Sequence, residues 1–251
     1  MDTDLSQQLK LLGLKLLQQQ WEKYLNRAVK KKSSYISFLS EIIRDEYEYK
    51  IENRRKNRLK EARIPENLVM ETFPFARQPR LKKKIVMQLY DSMEYMNKNQ
   101  VMLFIGPTGC GKTGLATAFL IHAINNGSRG LFIDFKDMLR MLQQAAADHS
   151  QQRVIKRLSA VDCLLIDEMG YEPLLERQAG LFFDVVKQRH KNKCTIITTQ
   201  LGFEEWNVFI NNAHLTAALI DRITENSTVF NMNKCISIRE KKIVYAADKS
   251  P

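Results

Sequence analysis

The chain has 251 residues, of which 44% are hydrophobic and 27% are charged, and it contains only 10 glycines and 6 prolines. This composition excludes wholesale disorder and collagen-like or linker-dominated chains, and the length allows one or two globular domains. The formal net charge is +11, and no apolar run reaches the roughly 18 residues that a transmembrane helix requires. Because the N-terminus also lacks the pattern of a signal peptide, we expect a cytoplasmic protein with no membrane partner.

The basic excess is concentrated in the first third of the chain. Residues 1–84 contain 20 Lys and Arg against 11 Asp and Glu, whereas residues 85–251 contain 19 against 17. A localised excess of this kind is typical of a surface that binds a polyanion such as DNA or RNA, although a solvated helix face is the alternative. The candidate DNA contacts in this region are Lys30, Lys31, Lys32, Arg54, Arg55, Lys56 and Arg58.

Two amphipathic helices are predicted within this basic region. Apolar residues recur at three- and four-residue steps over residues 5–28 and again over residues 35–62. Ser33 or Ser34 is suited to cap the second helix. We therefore predict a small all-α DNA-binding domain over residues 1–63.

Residues 64–80 contain three of the six prolines and are predicted to be a linker. Proline cannot continue a helix, and it restricts the residue before it. A helical pattern returns over residues 81–98. Phe73, Phe75 and this helix are candidates for contacts with an adenine, although no motif identifies them.

Short apolar runs alternate with helical patterns from residue 101 onward. This alternation predicts a parallel sheet with helices on both faces, in a second domain over residues 81–251. The predicted strands are residues 101–105, 130–133, 161–166, 194–199, 228–231 and 235–238.

A phosphate-binding loop follows the first predicted strand. Residues 106–113, GPTGCGKT, match the pattern G-x-x-x-x-G-K-[ST] at every fixed position, and a helical pattern follows. The glycines let backbone N–H groups point at a phosphate, Lys112 reaches the β- and γ-phosphates, and the Thr113 hydroxyl binds Mg²⁺. The sequence therefore predicts ATP and Mg²⁺ as ligands. The candidate nucleotide-binding residues are Gly106, Pro107, Thr108, Gly109, Cys110, Gly111, Lys112, Thr113 and Gly114.

Two acidic residues, Asp167 and Glu168, end the third predicted strand. Asp167 is suited to hold Mg²⁺ through a bound water, and Glu168 is suited to activate the attacking water as a general base. The carboxyl ends of parallel strands meet at one edge of the sheet, which would bring both acids to the phosphate loop. Because both acids are present, we predict an ATPase that hydrolyses ATP to ADP and phosphate.

Three further positions are candidates for catalysis. Thr199 or Gln200, at the end of the fourth predicted strand, is suited to position the attacking water, unless this strand end simply meets solvent. Arg222 and Arg239 are suited to stabilise charge on the γ-phosphate. A helix-end salt bridge is the alternative for each arginine.

These motifs, at this spacing, resemble those of AAA+ ATPases of the DnaA/DnaC helicase-loader clade, and within it the IstB-like transposition helpers. The phosphate loop is common to many ATPases, whereas DEMGYEPL at residues 167–174 and TTQLGFEEW at residues 198–206, followed by a DR pair, are more specific. The likeness covers nearly the whole chain. It implies a P-loop AAA+ fold of the α/β class, preceded by a small all-α domain.

The resemblance also implies roles for individual residues. Arg222 falls at the arginine finger, which acts on a neighbouring subunit, and Arg239 falls at the second sensor, which acts in its own subunit. Gln200 or Thr199 falls at the first sensor. An extra helix facing DNA is implied over residues 136–158. Its candidate phosphate contacts are Lys136, Arg140, Arg153, Lys156 and Arg157.

The function that the resemblance implies is that of an ATPase that forms a homo-oligomer on duplex DNA and recruits and stimulates a transposase. Contacts to phosphates, with little base readout, would make the binding largely independent of sequence. A replicative helicase loader that binds single-stranded DNA is the alternative within the same fold. A small-molecule kinase and a scaffold that binds ATP without hydrolysing it are alternatives from other classes, and the acid pair disfavours both.

Overall fold

The computed structural model describes residues 3–66, 68–78 and 81–238. The chain divides into two compact units, Met1–Arg58 and Leu59–Pro251. Four described helices begin in the smaller unit: α1 Thr3–Leu11, α2 Lys15–Gln19, α3 Trp21–Lys31 and α4 Tyr35–Glu61. Its core is small and is formed by the buried side chains of Leu9, Leu17, Tyr24 and Ile42.

The prediction of one continuous helix over residues 5–28 is wrong, because this stretch forms α1, α2 and most of α3. Gly13 has a φ of +69° and follows the end of α1. The N–H of Leu14 then bonds back to the carbonyl of Leu9 at 2.8 Å, which is typical of a glycine-terminated helix. The apolar periodicity continues across this break, so the pattern alone did not reveal it.

The second predicted helix is confirmed as α4. Ser34 caps it, since its Oγ accepts a hydrogen bond from the N–H of Ser37 at 3.3 Å. α4 also carries a buried carboxylate, because Glu46 Oε1 accepts the N–H of Leu17 at 2.7 Å at the start of α2. Glu46 thereby joins two helices of the smaller unit.

The larger unit contains a five-stranded parallel sheet in the order β2-β3-β4-β1-β5. Its strands are β1 Val101–Ile105, β2 Gly130–Asp134, β3 Cys163–Met169, β4 Cys194–Thr199 and β5 Ser227–Asn231. Its described helices are α5 Lys83–Ser92, α6 Glu94–Asn97, α7 Lys112–Asn125, α8 Phe135–Ala147, α9 Gln151–Ala160, α10 Glu176–Arg189, α11 Trp206–Ile210 and α12 Ala213–Thr224.

Helices cover both faces of this sheet, as predicted. Alternate residues of a strand point to opposite faces. Met102 and Phe104 of β1 therefore join the core that contains α7, whereas Leu103 and Ile105 join the core that contains α8, α10 and α12. The fold is that of a P-loop AAA+ unit, and it brings the ends of β1, β3 and β4 together at one edge.

The strand predicted over residues 235–238 is wrong. The N–H of Cys235 bonds to the carbonyl of Met232 in a turn. The side chain of the fully buried Gln78 then takes both backbone groups of Ile236, donating to its carbonyl at 2.6 Å and accepting its N–H at 3.2 Å. The same amide donates to the carbonyl of Cys110 in the phosphate loop at 3.1 Å. These bonds replace the strand partners that the apolar pattern predicted.

Two long helical predictions are divided in the structure. The helix implied over residues 136–158 is wrong as a single element, because α8 and α9 are separated at His149, which has a φ of +59°. The helical pattern over residues 81–98 forms α5 and α6, which are separated at Met93 (φ +54°). The described part of the predicted linker packs on the larger unit through the buried Met70 and the half-buried Phe73 and Phe75.

Candidate active site

The phosphate loop connects β1 to α7, as predicted. Gly109 and Gly111 have φ values of +83° and +95°, which favour glycine, and Gly111 is the residue before the first turn of α7. At Gly106 a side chain has no room, because an added Cβ would lie 2.9 Å from the backbone of Met232. The glycines at 106, 109 and 111 are therefore required by close packing and by the backbone conformation of the loop.

Lys112 and Thr113 are the first two residues of α7. The side chain of Lys112 contacts the phosphate loop itself, whereas that of Thr113 contacts β3. The ammonium of the buried Lys112 donates to the carbonyls of Gly106 at 2.7 Å and Pro107 at 2.9 Å. The hydroxyl of Thr113 donates to the carboxylate of Asp167 at 3.0 and 3.2 Å. The phosphate loop between β1 and α7 and the acid of β3, which were predicted to lie together, are therefore in contact in the folded chain.

Asp167 is buried at the sheet edge. Burial raises its pKa above the ordinary range, while hydrogen bonds from Thr198 and Thr113 act in the opposite direction. Mg²⁺ prefers oxygen ligands and is commonly held by one or two protein groups together with substrate phosphates. The hydroxyl and carboxylate oxygens of Thr113 and Asp167 fit this preference.

Glu168 differs from Asp167 in being exposed, and its backbone has a φ of +59°. A residue with a side chain seldom adopts this conformation, and such residues are concentrated at functional sites. Glu168 and Asp167 both line a cleft of about 400 Å³ together with the phosphate loop. The described carboxylates therefore lie where a bound triphosphate would be expected.

The opposite wall of the cleft comes from the predicted linker. Leu68, Val69, Thr72 and Phe73 line it, and the Phe73 ring would lie 3.0 Å from a Cβ added at Gly111. Phe75 instead packs against Phe73 at a centroid distance of 4.8 Å. No sequence motif marked Leu68, Val69 or Thr72, because the wall is assembled only by folding.

The end of β4 presents three polar residues with different contacts. Gln200 Oε1 accepts a hydrogen bond from Thr108 of the phosphate loop at 3.0 Å. The Thr199 hydroxyl donates to the carbonyl of Met169 at 2.7 Å and accepts the N–H of Leu201. Of the two candidates, Gln200 is the one whose side chain bonds to the phosphate loop. Sequence reasoning missed Thr198, which bonds directly to Asp167 at 2.5 Å.

Arg222 lies far from its own phosphate loop. Its guanidinium stands 4.8 Å from the ring centre of Phe183, and it lines a small cavity with Val101 and Thr195, at the starts of β1 and β4. The phosphate loop follows the other end of β1, about 13 Å away at the usual strand rise. Arg239 lies outside the residues that the structure describes.

Most of the candidate DNA contacts are exposed, and several have acidic neighbours. Lys136 lies 3.6 Å from Glu172, and Arg140 lies 2.9 Å from Asp137. In α4, Arg55 and Lys56 pair with Glu52. Arg58 is half-buried. The remaining candidates are exposed: Lys30, Lys31, Lys32, Arg54, Arg153, Lys156 and Arg157.

Solved structures support the fold. The chain has a TM-score of 0.51 to a DnaC helicase loader, at 26% identity, over 62% of this chain and 90% of that one. It has a TM-score of 0.55 to AMPPCP-bound DnaA from Aquifex aeolicus, at 17% identity, over 68% of this chain and about half (51%) of that one. Among residues 3–66, 68–78 and 81–238, every helix is too short or too polar to span a bilayer.

Sequence comparisons identify the family. An insertion sequence IS21 putative ATP-binding protein from Pseudomonas aeruginosa is 30% identical over 222 residues, which cover 88% of this chain and 83% of that protein. A counterpart from insertion sequence IS232 of Bacillus thuringiensis subsp. berliner is 27% identical and covers 91% of each chain. The model of the IstB-like ATP-binding proteins matches residues 7–246. The chain therefore belongs to the IstB-like family of ATP-binding proteins associated with insertion sequences.

Proposed function

We propose that this protein is an ATPase that binds duplex DNA largely without regard to sequence, oligomerises on it, and recruits and stimulates a transposase. The observation that carries the proposal is the contact between Thr113 of the phosphate loop and Asp167 of β3, beside Glu168 in one cleft. This contact joins the phosphate-binding and acid motifs in the arrangement that ATP hydrolysis needs. The insertion-sequence relatives supply the context of transposition.

The chain's own residues account for binding and hydrolysis as follows. Backbone N–H groups of the phosphate loop and the start of α7 bind the phosphates, and Lys112 turns from the carbonyls of Gly106 and Pro107 to the β- and γ-phosphates. The oxygens of Thr113 and Asp167 would hold Mg²⁺. When bound, Mg²⁺ neutralises charge that develops on the phosphates.

Glu168 acts as the general base. It takes a proton from the water that attacks the γ-phosphorus, the bond from that phosphorus to the bridging oxygen breaks, and ADP and phosphate leave. Gln200, which is already bonded to Thr108 of the phosphate loop, orients the water. Arg239 acts as the second sensor in its own subunit.

The position of Arg222 supports the proposed oligomerisation. Because Arg222 lies near the starts of β1 and β4, its guanidinium is far from the cleft of its own subunit. An arginine finger must contact the transferred phosphoryl group. Arg222 therefore acts on the nucleotide of a neighbouring subunit, so that hydrolysis requires assembly.

DNA binding is supported by the exposed basic residues of both units. Lys30, Lys31 and Lys32 end α3 and its cap, and Lys156 and Arg157 lie on α9. Long cationic side chains on helices contact phosphates without reading bases. Duplex DNA with little sequence preference is therefore the ligand that we propose for these helices.

A helicase loader is the second candidate, because the DnaC helicase loader is similar in fold and 26% identical in sequence. Binding to labelled duplex and single-stranded DNA of unrelated sequence, with ATP, ADP or no nucleotide at fixed salt, separates the two. We expect tight duplex binding only with ATP. A preference for single strands would favour the loader, and no binding with any nucleotide would contradict both functions.

A further inference from the structure

The two acids of the cleft lie at an irregularity in the sheet. Pairing between β3 and β4 is regular from Cys163 with Cys194 to Ile166 with Ile197, and it resumes at Met169 with Thr199. Two residues of β3, Asp167 and Glu168, therefore stand opposite a single residue of β4, Thr198. An extra residue in one strand forms a β-bulge, which bends the strand and redirects its side chains.

The bulge explains how two neighbouring acids can line the same cleft. In a regular strand, successive side chains alternate between the two faces of the sheet. Here Asp167 is buried against Thr113, whereas Glu168 adopts a φ of +59° and is exposed at the cleft. Because this backbone conformation is unfavourable for glutamate, the surrounding structure must hold it.

One hydroxyl group makes a contact with each of the two acids. Thr198 Oγ1 donates to Asp167 Oδ1 at 2.5 Å and accepts the backbone N–H of Glu168 at 2.9 Å. A hydroxyl group has one hydrogen to donate, so this donation commits it to Asp167. The side chain of Thr198 is fully buried and, being β-branched, has few rotamers.

We propose that Thr198 is a positioning residue that orients Asp167 and Glu168 together. Its hydroxyl fixes the carboxylate of the first acid and the strained backbone of the second. Thr113 also donates to Asp167, but in the proposed function its hydroxyl oxygen is also a ligand of Mg²⁺. Thr198 contacts Asp167 without being a proposed ligand of Mg²⁺.

This inference rests on the proposed ATP hydrolysis, and Thr198→Val tests it. Valine keeps the size and β-branching of threonine and removes both hydrogen bonds. We expect turnover to fall about 10- to 100-fold, as for other partners that orient a reacting group, with little change in the affinity for a fluorescent ATP analogue. Thr198→Ser keeps the hydroxyl and should restore turnover close to the wild-type rate.

Thr195→Val is the matched control. Thr195 is also buried on β4, but its hydroxyl accepts from Arg189 at 2.9 Å, near the start of the strand. Both valine variants are expected to lose thermal stability, and only Thr198→Val is expected to lose turnover. A crystal structure of Thr198→Val should have Glu168 moved from its positive φ.

The outcomes separate this inference from the proposed function. If the wild type does not hydrolyse ATP in the presence of DNA, the proposed function fails. If the wild type hydrolyses ATP and Thr198→Val does so at a similar rate, the positioning role is overturned. Equal loss of turnover in Thr195→Val and Thr198→Val would also overturn it, because a general effect on the sheet would then be sufficient.

Discussion

The carboxyl ends of the parallel strands form one edge of the sheet, and their amino ends form the opposite edge. Both edges contain buried polar groups, but these groups have different roles. At the carboxyl edge, Asp167 borders a cleft and Glu168 is held in a strained conformation. At the amino edge, the buried guanidinium of Arg189 donates to Thr195 and to the carbonyls of Leu158, Val161 and Cys194. Burial lowers the pKa of Arg189 to about 10, which leaves it charged at neutral pH.

The difference shows that a buried charge does not by itself indicate a functional site. Arg189 is surrounded by carbonyl and hydroxyl oxygens and does not line the nucleotide cleft, so its role is to join α9, α10 and β4. Asp167 has a similar degree of burial but opens onto the cleft. The carboxyl edge therefore differs from the amino edge in having space for a ligand. Arg222 is the one residue near the amino edge for which we propose a role in catalysis.

The largest expected effect tests that role. Arg222→Ala should lower turnover by about 10³-fold or more, because it removes stabilisation of the transition state. Glu168→Gln should lower turnover by about 10²- to 10⁴-fold, because it removes the general base. An equal mixture of the two variants should partly regain turnover. In a random cyclic assembly, about a quarter of the interfaces would combine an intact Glu168 from one subunit with an intact Arg222 from its neighbour. The measurement is ATP hydrolysis on duplex DNA.

Arg129→Ala is the control for Arg222→Ala. Arg129 lies at the same amino edge, next to the start of β2, and is exposed beside Asp162. Its removal should leave turnover unchanged. If the mixture of Arg222→Ala and Glu168→Gln is no more active than either variant alone, action between subunits is contradicted.

The next effect concerns stability at the amino edge. Arg189→Met leaves the oxygens around the guanidinium without donors, so we expect the free energy of unfolding to fall by about 3 kcal/mol or more. Denaturant unfolding followed by circular dichroism measures this change. Turnover per folded molecule should stay near the wild-type value, and a selective loss of turnover would place function at this edge after all.

The smallest expected effect concerns the smaller unit and neither edge of the sheet. Replacing Lys30, Lys31 and Lys32 by Gln removes up to three phosphate contacts, and the slope of log affinity against log salt should fall by about 0.9 for each phosphate that is no longer neutralised. Fluorescence anisotropy with duplex DNA at several salt concentrations measures it. Replacement of Lys10, Lys15 and Lys23 by Gln removes the same charge from the same unit and serves as the control. An unchanged slope in the first variant would remove α3 from the DNA surface.

Local patterns predicted the parts of the fold that depend on neighbouring residues in the chain. The phosphate loop is contiguous, so its glycines, Lys112 and the start of α7 could be read directly. The break at Gly13 could not, because the apolar periodicity runs across it. The single helix over residues 136–158 was implied by the family resemblance, and the polar residues 148–153, DHSQQR, interrupt it at His149. Residues 235–238 have the composition of a strand, but their backbone bonds are taken by the distant Gln78.

The candidate site was predictable to a similar extent. Asp167 and Glu168 were recognisable from the apolar run before them, and the structure brings them to the phosphate loop. Thr198 was not recognisable, because its importance comes from a bulge in the pairing of β3 with β4, and register between distant strands is not written in either strand alone. The linker wall around Phe73 likewise exists only after folding.

Gln78 gives the cleft a mechanical property that its ligands alone would not. One carboxamide is anchored both to Cys110, within the phosphate loop, and to Ile236, three residues before Arg239. A small displacement of the loop when a nucleotide enters would therefore be passed to the backbone of residues 236–238, through this carboxamide and through the bond from the N–H of Ile238 to the carbonyl of Gly109. Filling the cleft and moving the backbone of residues 236–238 would then be mechanically coupled.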